Sequence, residues 1–261
     1  MKLNLVLMAL LLMTNLSHAD TTLIYKLPDA NSEKFLTYYI KDSLLRFKEE
    51  GMNKTNVFDP GKQEFTSIDQ NTGNISRIND AIVNQHTEKL NKERMEKLKS
   101  IEAELNKQLQ TMDASKKEVA EVLMNKLKYP EFYGDQAYLN TEKTASSKKI
   151  NNIECQIYNV RLHEKLMRQI CMASIDDLKI SADDYTALRS FFKFNYRTQS
   201  RMMLAAGKTS FNMIDYDEQN IPGIPIEITV FTDQGSKQEQ LLHKISNNSL
   251  DKALFEIKHP K

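Results

Sequence analysis

The chain has 261 residues, 40% of them hydrophobic and 27% charged, with 7 Gly, 6 Pro and no Trp. That length suits one large domain or two small ones, and the composition excludes collagen-like, low-complexity and disordered chains. Lys and Arg number 36 against 35 acids, a formal charge of +1, which lacks the basic excess of a nucleic-acid-binding protein.

The first element is a targeting segment. Lys2 precedes a short apolar run from Leu3 to Met13, and Ser17-His18-Ala19 forms a small-residue cleavage site before Asp20. The run is shorter than the roughly 20 residues of a spanning helix. Residues 1–19 therefore read as a removable signal peptide and 20–261 as a single mature domain. Without Lys2 the mature chain carries 35 basic and 35 acidic residues. No other stretch is apolar enough to cross a bilayer, so an exported protein without a transmembrane span is expected. The wealth of Lys, Asn and Ile points to a bacterial cell, which makes the compartment the periplasm.

Residues 21–79 read as a strand meander. Strands are expected at 21–27, 35–41, 43–48, 55–59, 64–69 and 74–78, separated by turns at Asp42-Ser43, Pro60-Gly61 and Asn71-Thr72-Gly73. Leu36, Tyr38 and Ile40 share one face, as do Leu45 and Phe47. From Asp80 to Lys128 there is neither Gly nor Pro. Leu98, Ile101, Leu105, Leu109 and Met112 recur at helical steps, and Val119, Leu123 and Leu127 resume the stripe. The spacing predicts an inserted amphipathic helical segment over about 80–128. It is one helix or two broken near Asp113–Ser115, where Asp113 or Ser115 would cap the second. Packing of this helix on the domain's own sheet is the expectation, with a heptad coiled coil as the other outcome.

Residues 137–149 read as a strand that turns at Ser146–Lys149 into a hairpin containing Cys155 and Cys171. These are the only cysteines. Export makes a disulfide the default, and a hairpin centred on His163 sets Cys155 directly opposite Cys171, Ile153 opposite Ala173 and Asn159 opposite Met167. The spacing is not C-x-x-C, which disfavours a redox pair, and no His cluster accompanies the thiols to hold a metal. Ser181-Ala182-Asp183-Asp184 opens a capped helix to about Tyr196, with Tyr185, Leu188, Phe191, Phe192 and Tyr196 on its apolar face. Pro222-Gly223 leads into a strand in which Ile226, Ile228 and Val230 alternate, and Gln234-Gly235 turns into a last strand at 239–245.

The order of these elements, the Gly223-Ile224-Pro225-Ile226-Glu227-Ile228 strand, the Lys148-Lys149-Ile150-Asn151 approach to Cys155 and the Leu250-Asp251-x-x-Leu254-Phe255-Glu256 ending resemble an uncharacterised family of exported bacterial proteins with a LolA/LppX-type fold. The resemblance implies an α+β domain, in which a curled antiparallel sheet forms an incomplete barrel covered by helices. It also implies a concave apolar surface for a lipid or a lipidated partner. Candidate lining residues are then Leu36, Tyr38, Ile40, Leu45, Phe47, Ile226, Ile228 and Val230. Met202, Met203 and Met213 read either as ordinary core filler or as an adaptable apolar surface.

No catalytic motif stands out. None of the five His forms H-E-x-x-H, and G-x-S-x-G, G-x-G-x-x-G and the P-loop are absent. Asp176-Asp177 and Asp183-Asp184 sit where acids cap helices. Asp215, Asp217 and Glu218 lack the glycine and terminal glutamate of a calcium loop. The expectation is a non-catalytic exported binding protein without cofactor or metal. The competing reading is an envelope scaffold acting through the 80–128 helix.

Overall fold

A computed structural model describes residues 20–28, 33–133, 139–207 and 221–256. The proposed signal peptide, His18, His259, Met213 and the Asp215–Glu218 segment lie outside the described residues.

Eleven antiparallel strands form one sheet in the order β6-β5-β4-β3-β2-β1-β11-β10-β9-β8-β7. The meander supplies β1 (Thr21–Pro28), β2 (Glu33–Lys41), β3 (Leu44–Glu49), β4 (Lys54–Asp59), β5 (Glu64–Asp69) and β6 (Ile75–Ile78). The other half holds β7 (Leu139–Ile150), β8 (Ile153–Leu162), β9 (Lys165–Ala173), β10 (Ile224–Thr232) and β11 (Gly235–Ser246). Helices α1 (Asp80–Leu109), α2 (Ala114–Lys128) and α3 (Pro130–Tyr133) join β6 to β7, and α4 (Ile175–Leu178) and α5 (Ala182–Ala205) follow β9. Strands β6 and β7 end the sheet and do not pair with each other, so the sheet is open.

The sheet is strongly curled. A flat sheet of this size would span about 48 Å, far wider than one helix can cover. Yet a single hydrophobic cluster draws side chains from every strand, from Ile78 of β6 through Tyr38 of β2 to Ile150 of β7. Two hydrogen bonds record the curl. The Tyr25 hydroxyl of β1 donates to the Pro225 carbonyl of β10 at 3.0 Å. Asn151, in the β7–β8 turn, donates its amide to the Leu242 carbonyl of β11 at 2.7 Å.

Helix α5 fills the hollow. Ser181 is its N-cap and accepts from the Asp184 N–H at 3.1 Å. Ala187, Leu188, Phe191 and Phe194 recur at three- and four-residue steps and are buried. Phe191 stacks among Tyr38, Phe47, Phe58 and Phe192, with ring centroids 5.9, 5.3, 5.5 and 5.7 Å away. The helix does not stop near Tyr196 but runs to Ala205, because its next Gly is Gly207, with φ of 65°.

The Asp42-Ser43 turn is as expected, with both residues at positive φ. Three expectations of register need correction. The β7–β8 turn lies at Asn151–Asn152, both left-handed, and not at Ser146–Lys149. Strand β7 runs through the latter residues, and its irregularity between Lys143 and Ser147 takes up the slack. In the cysteine hairpin Leu162 pairs with Lys165, so the loop is two residues, and Met167 bulges out of β9. Ile157 therefore faces Cys171 and Asn159 faces Gln169, displacing the expected pairs by two residues. A shift of two keeps side-chain parity, so Cys155 lies diagonal to Cys171 on the same face. The disulfide forms across a Cα–Cα distance of 5.3 Å. Third, a bulge between Pro225 and Glu227 breaks the alternation of β10. Ile226 joins the main core, whereas Ile228 joins a second cluster with Tyr158, Val160, Ile170, Met172 and Ile221.

One buried acid gives the fold a pH signature. Asp184 is 5% exposed and accepts from the Thr21 hydroxyl at 2.6 Å. Burial raises its carboxyl above the usual carboxylate range, while the bonds from Thr21 and Ser181 oppose that rise. The folded chain thus keeps this proton to a higher pH than the unfolded chain does. The stability contribution is greatest when the group is protonated and declines as pH rises through the raised value. Asp184→Asn retains an acceptor for Thr21 and removes the charge. Melting scans from pH 4 to pH 7 should show the variant losing less stability across that range than the parent. A steeper loss in the variant would contradict this.

Candidate functional site

Six of the eight candidate lining residues belong to, or pack against, the core that α5 closes. Tyr38, Ile40, Leu45 and Ile226 are buried in the main core, and Leu36 and Phe47 pack partly buried against it. Ile228 is buried in the second cluster, and Val230 is half-buried on β10. The hollow of the sheet along these strands is occupied by α5's aromatic side chains, and none of the four pockets described below is lined by these eight residues.

An apolar opening lies at the β6 end of the sheet. There α1 leaves the sheet edge and crosses the C-terminal half of α5. Asn79 starts α1 by accepting from the Ile82 N–H at 3.1 Å. This cap places Ile82, Val83 and His86 on the side of α1 that looks along α5. Two clamps hold the helices together. Arg197 and Arg201 of α5 reach Asp80 at 3.1 and 3.3 Å. Farther along, the Arg94 guanidinium donates to the Leu204 carbonyl at 2.6 Å, a cation at the negative end of α5. Gly207 lies against that arginine, and a Cβ there would meet Arg94 Cδ at 3.1 Å. The Asp80 pairs are 36–50% exposed, so they set the crossing geometry more than they stabilise it.

Between the clamps the helices and β6 leave a groove of about 600 Å³. Ile78, Ile82, Val83, Met202 and Met203 supply its apolar walls, and Ser76, Arg77, His86, Thr198 and Gln199 complete the lining. Among the described residues, Arg77 is the sole guanidinium or ammonium on this lining, and no acid lines it. Its side chain is 57% exposed and lies 3.9 Å from Glu64. The two methionines are unbranched and polarizable, so they fit differently shaped apolar partners. The arrangement suits one apolar chain in the groove with an anionic end near Arg77, and it positions no nucleophile beside a general base.

Three other pockets are more polar in character or smaller. One of about 480 Å³ lies on the outer face of β1–β3, where Phe35 and His243 approach at 5.5 Å between ring centroids. One of about 430 Å³ adjoins Cys155. One of about 270 Å³ separates α1 from α2. Among the described residues, no group of three or more His, Cys, Asp and Glu is placed to hold a metal. Asp176 and Asp177 lie in the first turn of α4, where Ser174 accepts from the Asp177 N–H at 3.1 Å. His163 is exposed at its hairpin turn, and His86 lies on the groove. Among the described residues no helix is long and apolar enough to cross a membrane.

No family model matches this chain, and no curated protein matches it. Among solved structures it is similar to PNGF-II in a C2 space group, at 9% identity and a TM-score of 0.38. That similarity covers 90% of this chain and 29% of the other.

Sequence reasoning singled out Met202 and Met203 but did not bring Ile78, Ile82 and Val83 to them. The end of β6 and the start of α1 meet the C-terminal half of α5 only through the tertiary crossing. No local periodicity encodes that crossing.

Proposed function

We propose that this protein is an exported, non-catalytic binding protein for an apolar chain with an anionic end, as in a fatty acid or the acyl group of a lipidated partner. The groove at the β6 edge carries this reading. Its volume of about 600 Å³ is within the range of small-molecule sites, its walls are aliphatic and thioether, and the Arg77 cation stands on the lining beside Ile78. The periplasmic setting rests on the N-terminal signal pattern, and the disulfide is compatible with it. The LolA/LppX-type likeness is part of the same reading, supported by an open curled sheet whose concave face is covered by a helix. In this protein the cover is packed with aromatic rings, so the ligand takes the groove beside the cover.

Titration with a fluorescent fatty acid tests the reading. The parent should bind one probe molecule. Met203→Lys places a charge among the apolar walls at a partly exposed position and should weaken binding about tenfold or more. Arg77→Ala should weaken an anionic probe and leave its methyl ester unchanged. Equal probe affinity in the parent and Met203→Lys would overturn the assignment.

A further inference from the structure

Helix α2 turns its apolar stripe the wrong way for a core helix. Val119, Val122, Leu123 and Leu127 are 60%, 50%, 56% and 40% exposed. Their three- and four-residue spacing puts them on one face. The opposite face meets α1 through Met124, the one buried side chain of α2, and through Lys128, whose ammonium lies 2.6 Å from Glu102. The expected packing of this stripe on the sheet is therefore not what forms. Directly beyond the helix Tyr129 and Phe132 are 49% and 69% exposed, so the apolar surface continues past Lys128.

The charges on that face indicate its occupant. At 100° per residue, Lys116 and Lys126 fall inside the arc spanned by Val122, Val119, Leu123 and Leu127, whereas Glu118 and Glu121 fall outside it. Lys116 is bound to Asp113, the N-cap, at 2.9 Å and keeps a 73% exposed side chain. A second copy laid on this face would bring lysine towards lysine. An apolar stripe interleaved with cations, followed by exposed aromatic residues, instead fits the headgroup level of an anionic bilayer.

We propose that the outer face of α2 is an interfacial membrane-binding surface for anionic phospholipid. The helix lies in the plane of the headgroups with Val119, Leu123 and Leu127 inserted and Lys116 and Lys126 at the phosphates. The surface is separate from the groove between α1 and α5, so it stands whether or not that groove holds an acyl chain.

Flotation of the full chain with vesicles tests this. Vesicles of phosphatidylcholine with about 30% phosphatidylglycerol should carry the protein, pure phosphatidylcholine should carry little, and 0.5 M salt should release a large part. Val119→Asp with Leu123→Asp changes exposed positions only. It should reduce flotation about tenfold or more with an unchanged melting temperature and an unchanged fatty-acid titration. Absence of flotation with either vesicle, equal flotation of parent and variant, or equal binding to both lipids would overturn the proposal. So would a parent dimer in sedimentation equilibrium that the variant abolishes, because the stripe would then belong to a second copy.

Discussion

Phe191→Ala is expected to destabilise the fold by about 3–5 kcal/mol, the range for truncating a buried aromatic ring. Phe191 is 6% exposed and lies within ring-contact distance of Tyr38 on β2, Phe47 on β3, Phe58 on β4 and Phe192 on its own helix. Three of these neighbours come from three different strands and are themselves held by the sheet. They cannot all close on the space the ring leaves, and a cavity adds to the lost transfer free energy. Phe47 also stacks on Phe65 at 5.6 Å, so a disturbance at Phe191 extends towards β5. Urea unfolding of the parent and variant measures the difference. A loss below about 1 kcal/mol would mean that α5 is not the element closing the hollow.

The second large effect belongs to the disulfide. Replacing both Cys155 and Cys171 by Ser should lower stability by about 3 kcal/mol on the chain-entropy estimate, for cysteines separated by 16 residues. In a domain of this size that corresponds to a melting point lower by roughly 6–12 °C. The bridge ties β8 to β9 in the hairpin that carries the Met167 bulge, next to the regular pairs Gln156–Met172 and Ile157–Cys171. Both cysteines are 3% exposed or less and belong to the main core. Thermal unfolding of the oxidised parent against the double variant checks the value. Full labelling of both thiols in native protein, before any reductant is added, would contradict the bridge itself.

Much of the architecture can be read locally. The left-handed turn at Asp42-Ser43, the caps at Asp113 and Ser181, and the alternation of Leu36, Tyr38 and Ile40 each depend on residues close in sequence. Several of the misreadings come from bulges or from tertiary contacts. One extra residue near Ile226 sends Ile226 and Ile228 to different clusters, although their spacing alone reads as a single face. Met167 likewise moves the cysteine pairing from directly opposite to diagonal while leaving both sulfurs on one side. The stripe at Val119, Leu123 and Leu127 has the period of a buried face, but period does not say which neighbour, if any, covers it. The groove is less legible still, because Ile78 and Met203 are far apart in the chain and meet only where α1 crosses α5.

The curled sheet and α5 share one packed hydrophobic core, and the crossing of α1 with α5 leaves an apolar groove at the sheet's open edge. In the proposed binding role, the two unbranched methionines would let the groove adapt to apolar chains of different shape. Native mass spectrometry of protein released gently from the cell envelope is the most direct test. An added mass in the range of a fatty acid or phospholipid, lost on activation and absent from Met203→Lys, is the expected spectrum. A single ligand-free mass under the mildest release, unchanged after incubation with excess fatty acid, would contradict a binding function for the groove.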